Sequence, residues 1–142
     1  MRGPVSDRPM ISIVDDDETA RGGTMDLVRS MGFAAQAFSC GEDFLAFDQL
    51  PRTACLIADV RMPGMSGLEL YNRLRQSGQF IPTILMTAFP TERDRRRALS
   101  AGVLCYLAKP FRDDELLECV GAAINSDLAP PENNGAGSDT QP

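Results

Sequence analysis

Met10-Ile11-Ser12-Ile13-Val14-Asp15-Asp16-Asp17 is the stretch on which the fold turns. A short apolar run stops abruptly at three consecutive aspartates. Such a run, too short for a helix and bounded by polar residues, reads as a buried strand followed by a loop. The pattern recurs downstream. Ala34 to Phe38 is a second short strand, and Ala54 to Ala58 a third that runs into Asp59. Ile81 to Met86 is a fourth, ending at Thr87, with Pro82 tolerated near its start. Val103 to Leu107 is a fifth and leads to Lys109-Pro110-Phe111.

The segments between these strands carry helical periodicity. From Thr19 to Met31, Ala20, Thr24, Leu27, Val28 and Met31 share a helical face, and Gly32 follows as a stop. Gly22-Gly23 predicts a frayed first turn, because glycine loses the most backbone entropy on becoming helical. Ser39 and Glu42 have capping-box spacing ahead of a helix that carries Phe44, Leu45 and Phe47 and ends before Pro51. Ser66 and Glu69 repeat that spacing ahead of Leu70, Tyr71 and Leu74, with a stop at Gly78. A fourth helix spans about Thr91 to Ala101 and halts at Gly102. A fifth, with Asp113 as its cap, carries Leu116, Leu117, Val120 and Ile124. Strand–helix alternation of this kind gives an α/β sandwich around a parallel sheet. The pattern alone leaves the strand order open. Residues 1–9 read as a flexible N-terminus, 10–125 as one folded domain, and 126–142, rich in Pro, Gly, Asn and Ser, as a disordered tail or linker.

Composition narrows the function. The chain has 142 residues, 43% hydrophobic and 24% charged, which suits a single folded domain. Its net charge of -6 argues against a surface built for nucleic acid. It contains no histidine, which removes His-based metal sites, His general bases and Ser-His-Asp triads together. Cys40, Cys55, Cys105 and Cys119 form no Cys-x-x-Cys, so zinc and thioredoxin-like chemistry fit poorly. Cys55 and Cys105 lie in apolar runs and read as small buried hydrophobes. With no leader-like or membrane-spanning apolar run, the expectation is a cytoplasmic protein without membrane contact.

In an open parallel sheet, ligands bind beyond the carboxyl ends of the strands. The residues expected at those ends are Asp15, Asp16 and Asp17, then Asp59, Thr87 and Lys109, the one lysine of the chain. Taken singly each has an ordinary explanation: a solvated loop, a turn, a surface lysine. Their convergence on one edge is the informative feature. Clustered carboxylates repel one another unless a cation joins them, and an all-oxygen donor set suits Mg2+. A metal, an ammonium and a hydroxyl together suit a phosphoryl group. A carboxylate among them can act as nucleophile and form an aspartyl phosphate. Asp59, ending a strand with a loop after it, is the best placed.

Val14-Asp15-Asp16-Asp17, the stretch from Asp59 through Arg61-Met62-Pro63-Gly64-Met65-Ser66-Gly67, Met86-Thr87-Ala88 and Lys109-Pro110-Phe111 together resemble the receiver domain of bacterial two-component response regulators, the CheY-like superfamily, with wording similar to its FixJ-like branch. The resemblance covers about Met10 to Asn125. It implies a flavodoxin-like (βα)5 three-layer sandwich with strand order 2-1-3-4-5. It implies that Asp59 accepts a phosphoryl group, that Asp16 binds Mg2+ directly and Asp15 mainly through water, and that the Arg61 backbone carbonyl completes the protein ligands. Thr87 would bond a phosphoryl oxygen, Lys109 would pair with the phosphate, and the Lys109-Pro110 bond would be cis. Tyr106 would be the switch aromatic, turning inward as Thr87 moves.

The partners so implied are a sensor histidine kinase or phosphotransfer protein and an unidentified output partner or domain, with a homodimer through the helix 4/strand 5/helix 5 face as a further expectation. Arg93, Arg95, Arg96 and Arg97 lie on that face and also read simply as a solvated helix surface. Arg61 and Phe89, two residues after Asp59 and Thr87, occupy positions that in this family tune phosphate lifetime. A haloacid-dehalogenase-like phosphohydrolase would need an aspartate where Arg61 stands, so a substrate-turnover enzyme is not expected. A flavin site would need a phosphate-cradling loop where three aspartates stand. A phosphate-independent interaction module would have no need of the full acceptor set. About seventeen residues follow the last helix, too few for a helix-turn-helix domain, so the expectation is a single-domain regulator or the receiver part of a transcription regulator.

Overall fold

Apolar runs of four to seven residues form the five strands of one parallel sheet, and their side chains alternate between two cores. The computed structural model describes residues 8–127. Its elements are β1 (Met10–Val14), α1 (Glu18–Ser30), β2 (Ala34–Phe38), α2 (Gly41–Leu45), a short 3-10 turn at Leu50–Arg52, β3 (Thr53–Asp59), α3 (Gly67–Gln76), β4 (Thr83–Thr87), α4 (Glu92–Ala101), β5 (Cys105–Ala108) and α5 (Asp113–Asp127). The order across the sheet is β2-β1-β3-β4-β5, with every neighbouring pair parallel. This is the order that the family resemblance implied. The segments 1–7 and 128–142, where most of the flexible start and the tail were expected, lie outside the described residues.

The period-2 geometry of a strand sends successive side chains to opposite faces. Ile11 and Ile13 of β1, Cys55 and Ile57 of β3, and Ile84 and Met86 of β4 point into one core, closed by Val28 of α1 and by Leu116, Val120 and Ala123 of α5. Val14, Leu56, Ala58 and Leu85 point into the other, closed by Phe44 of α2, Leu70, Tyr71 and Leu74 of α3, and Ala98 of α4. The layers are therefore α1 and α5, the sheet, then α2, α3 and α4. Both faces being covered explains why the strands read as continuous apolar runs.

Several local expectations needed correction. Gly22 and Gly23 do not fray α1, which is continuous from Glu18 to Ser30. The Asp17 carboxylate caps it by accepting from the Ala20 N–H, so the first turn is anchored upstream of the glycines. The Ser39–Glu42 box does not form: α2 starts one residue later, with Cys40 in the cap position and no side-chain cap. That helix also ends at Leu45, giving way to i to i+3 bonds from Phe47 to Phe44 and from Leu50 to Phe47. Across these tighter turns Leu50 is buried in the core and Phe47 packs against it. Asp113 lies inside α5. Glu115 accepts from the Arg112 N–H, so Arg112 takes the place expected of Asp113. Strand β4 begins at Thr83, after Pro82, whose carbonyl accepts from Leu56 N–H.

The Ser66–Glu69 box does form, with both reciprocal bonds present. It starts α3 directly against the end of β3, because Gly67 has no side chain. A Cβ there would collide with the Asp59 carbonyl oxygen and press on Leu85. Gly67→Ala should therefore lower stability by about 1–3 kcal/mol, the usual cost of overpacking a tight contact. Urea unfolding of parent and variant checks this. Equal midpoints would show that α3 yields freely at Asp59.

Candidate functional site

Strand β1 delivers Asp15, β3 delivers Asp59, and the β5–α5 connection delivers Lys109, all at the carboxyl edge of the sheet. Lys109 Nζ donates to Asp59 Oδ2 at 2.7 Å and to Asp15 Oδ2 at 3.1 Å. Carboxylate oxygens of Asp15, Asp16 and Asp59 lie within 4.8 Å of one another. Asp15 is fully buried, Asp59 nearly so, and Asp16 is exposed. The second oxygens of the inner pair are also held: Asp15 Oδ1 accepts from Asp17 N–H and Asp59 Oδ1 from Arg61 N–H, each at 3.0 Å. Both inner carboxylates are thus oriented by backbone on one oxygen and by the ammonium on the other.

The electrostatics follow from this packing. Burial, the largest influence, pushes the Asp15 carboxyl above its usual value; the Asp17 N–H and Lys109 pull it down, and the Asp59 charge pushes it up. Burial lowers Lys109, but its bonds to Asp59 and Asp15 and their charges together hold it above the usual lysine value. Three carboxylates face one ammonium, so negative charge remains in excess. An all-oxygen, net-negative donor set of this size could hold a hard metal ion.

Thr87 is buried at the end of β4, where its Oγ1 accepts from the Phe89 N–H at 3.0 Å. An accepting hydroxyl keeps its own proton available to donate. The Lys109 N–H donates to the Thr87 carbonyl at 2.8 Å, tying the lysine-bearing loop to β4. That loop contains a cis Lys109-Pro110 bond. Tyr106 is half-buried on β5, and its Oη accepts from the Thr91 N–H at 3.4 Å. Its ring borders a cleft of about 380 Å³ between α3 and α4, floored by Val60, Leu85 and Ala98. The Arg61 guanidinium lies 5.5 Å from the centroid of the exposed Phe89 ring.

The sequence-derived candidates thus fall into two groups. Asp15, Asp16, Asp59 and Lys109 are brought into one cluster. Thr87 joins it through the backbone, and Tyr106 stands apart from it, bonded to Thr91. Arg61 meets Asp59 through its N–H, while its side chain turns to Phe89. The four cysteines are free thiols, and burial, followed by a bond with Cys105, pushes Cys119 up to about 12. One residue escaped the sequence reading. Arg21 Nη1 donates to the Asp15 carbonyl at 2.8 Å. Its only signal was a cation one helical turn after the acidic loop.

Comparison with known proteins agrees with this geometry. The family model for the response regulator receiver domain matches residues 11–121. The response regulator protein TodT of Pseudomonas putida is 38% identical over 133 residues, covering 93% of this chain and 58% of TodT. The transcriptional regulatory protein FixJ of Bradyrhizobium diazoefficiens is 34% identical over 116 residues, covering 80% of this chain and 56% of FixJ. The chain therefore spans little more than half the length of these curated relatives. Among solved structures, a response regulator receiver protein from Burkholderia phymatum superposes with a TM-score of 0.72 at 37% identity, covering 87% of this chain and 99% of that one.

Both titrating groups make stability fall as pH rises, each in its own window. Asp15 is raised when folded, so the native state holds more protons and stability falls as pH rises through that window. Lys109 is also raised, so its contribution is complete at neutral pH and is lost only as pH climbs through its raised value. Lys109→Met leaves two buried carboxylates facing each other. Breaking a fully buried pair costs about 3–5 kcal/mol. With the Lys109 side chain 21% exposed, the expected loss at pH 7 is about 1–3 kcal/mol. The deficit should narrow on acidification as Asp15 takes up its proton. Urea unfolding of both proteins across pH 4 to pH 7 (roughly the carboxylate range) measures it. A deficit independent of pH would show that charge repulsion is not its source.

Proposed function

This chain belongs to the response regulator receiver domain family, and from that premise we propose that Asp59 is its phosphoryl acceptor. The observation that carries the proposal is the Lys109 ammonium bonded at once to Asp59 and Asp15. In this reading Asp15, Asp16, Asp59 and the Arg61 backbone carbonyl hold Mg2+, a choice supported by the clustered carboxylate oxygens. Bound Mg2+ supplies charge neutralisation for the phosphoryl oxygens.

The chain's own groups do the rest. An Asp59 carboxylate oxygen attacks phosphorus of a phosphohistidine donor, forming an O–P bond as the P–N bond breaks and the imidazole leaves with its electron pair. Lys109 follows the negative charge from the Asp59 carboxylate to the phosphoryl group. The Thr87 hydroxyl donates its free proton to another phosphoryl oxygen. Drawing Thr87 inward disturbs its bond with the Phe89 N–H, and through the β4–α4 loop the Thr91–Tyr106 bond. Tyr106 can then turn toward the cleft beside it. The phosphoryl contacts exist only in that arrangement, so they shift its population.

The proposed donor is a sensor histidine kinase or phosphotransfer protein. The proposed output surface is α4, β5 and α5, which serves an output partner or a second copy of the chain. On α4, Arg95 and Arg96 share Glu92 at 3.3 and 3.9 Å, while Arg93 and Arg97 form no ion pair among the described residues. We place the receiver unit at residues 10–125, acting as a switch and not as a turnover enzyme. Its proposed setting is the cytoplasm, as the receiver part of a transcription regulator, with no nucleic acid bound by this unit itself, consistent with its net charge of -6. No helix among the described residues is long and apolar enough to cross a membrane.

Incubation with Mg2+ and a small phosphoryl donor or cognate kinase, followed by intact-mass measurement, should give one phosphoryl adduct. The adduct should vanish in Asp59→Asn and without Mg2+. An adduct that persists in Asp59→Asn would reassign the acceptor. Phe89 stands two residues after Thr87 with Arg61 against its exposed ring, and in this reading it limits the access of water to the phosphoryl group. Phe89→Glu should therefore shorten adduct lifetime several-fold, followed by the decay of the phosphorylated mass. Identical decay curves would remove Phe89 from control of hydrolysis.

A further inference from the structure

The three carboxylates of the cluster are not held alike. Asp15 and Asp59 each have both oxygens bonded. Asp16 is exposed, and among the described residues its carboxylate has no hydrogen bond and no ion pair. Its position rests entirely on the backbone of the β1–α1 loop. That backbone is fastened from three directions: Asp15 N–H donates to Phe38 carbonyl at 3.1 Å, Asp17 N–H to Asp15 Oδ1, and Ala20 N–H to Asp17 Oδ2. The remaining group is the Asp15 carbonyl, which belongs to the peptide plane whose N–H is that of Asp16. Among the described residues, the one side-chain bond to it comes from Arg21 Nη1, at 2.8 Å.

We propose that Arg21 is a positioning residue for the metal site: it fixes the Asp15–Asp16 peptide and so aims the Asp16 carboxylate at Asp59. The proposal rests on the Mg2+ reading above. Arg21 is suited to the task because its guanidinium donates to the backbone carbonyl while making no ion pair with any carboxylate of the described residues. It is also anchored, since its own N–H donates to Asp17 carbonyl at 2.8 Å in the first turn of α1. Two consequences of losing Arg21 have opposite signs. Removing a positive charge beside a cation site would tighten Mg2+ binding by Coulomb attraction alone. Freeing the peptide would weaken it, because partners that orient metal ligands are worth about 10–100-fold in affinity. The positioning role requires the second to win.

The test is a Mg2+ titration of the full chain followed by backbone amide NMR shifts of Asp16 and Asp17, for parent, Arg21→Gln and Arg21→Lys. Glutamine is neutral and too short to reach the carbonyl; lysine keeps a charge and a donor. The expected result is a Kd about tenfold higher for Arg21→Gln, with Arg21→Lys recovering most of the loss and both spectra native elsewhere. An Arg21→Gln Kd equal to or below the parent's overturns the proposal. If Arg21→Gln gives no native spectrum, Arg21→Met takes its place with the same expectation, and failure of both to fold assigns Arg21 to folding and overturns the proposal. A parent that shows no Mg2+ response overturns the metal reading itself, a result distinct from a parent that binds and a variant that binds equally.

Discussion

The Lys109 ammonium between Asp15 and Asp59 is the constraint around which this molecule is arranged. Two carboxylates with little or no solvent contact at the end of a hydrophobic sheet would repel strongly, and burial already lifts Asp15. One shared ammonium makes the pair tolerable without removing its excess negative charge. The topology meets that need. Asp15 directly follows β1, Asp59 ends the neighbouring β3, and Lys109 follows β5 at the sheet's edge, two strands from β3. A parallel sheet places all these ends on one side, and the Lys109 N–H on the Thr87 carbonyl carries the loop inward across β4.

The same arrangement leaves the cluster responsive. Its inner members are clamped, while Asp16 is exposed. The site thus combines a rigid floor with a ligand that faces water. A fully satisfied buried ion pair would have no charge left over for a further ligand, whatever its net effect on stability. An under-neutralised one at a surface edge could hold a further cation.

Much of this was legible in the sequence because its signals were local and one-dimensional. The apolar runs gave five strands, and polar residues ending them gave the site, since a parallel sheet converts strand ends into neighbours. The family resemblance supplied the strand order, which periodicity could not. What escaped depended on packing. Ser39–Glu42 and Ser66–Glu69 have identical spacing, yet only the second forms a box. At Ser66 the chain is free to present its hydroxyl to Glu69. At the start of α2 the cap position falls to Cys40, whose side chain makes no cap bond, and the backbone of Gly41 packs so closely on Met65 Sδ that a Cβ there would come within 2.9 Å. Gly22-Gly23 misled in the other direction, because the Asp17 cap and the Arg21 bonds on that turn outweigh the entropy of the glycines. Arg21 itself was invisible, since its partner is a backbone carbonyl and not an acidic side chain.

The exposed face raises a different physical question: how a change at a buried carboxylate reaches the surface. The path that the proposed reading requires is short. Thr87 Oγ1 accepts from Phe89 N–H, and Thr91 N–H, two residues further on, donates to Tyr106 Oη. Thr91 also caps α4 by accepting from Asp94 N–H at 3.0 Å. One loop of four residues therefore links the buried hydroxyl, the first turn of an arginine-rich helix and the aromatic ring beside the α3–α4 cleft. The Thr91–Tyr106 bond, at 3.4 Å, is the longest of the three. In the proposed reading this is where the linkage would give, because a long bond at an exposed position costs least to exchange for water. Arg61 stacked on Phe89 joins the loop after Asp59 to the same segment from the other side. A displacement of either loop therefore bears on the start of α4, which makes that helix, and not the sheet, the element through which the state of Asp59 would be read.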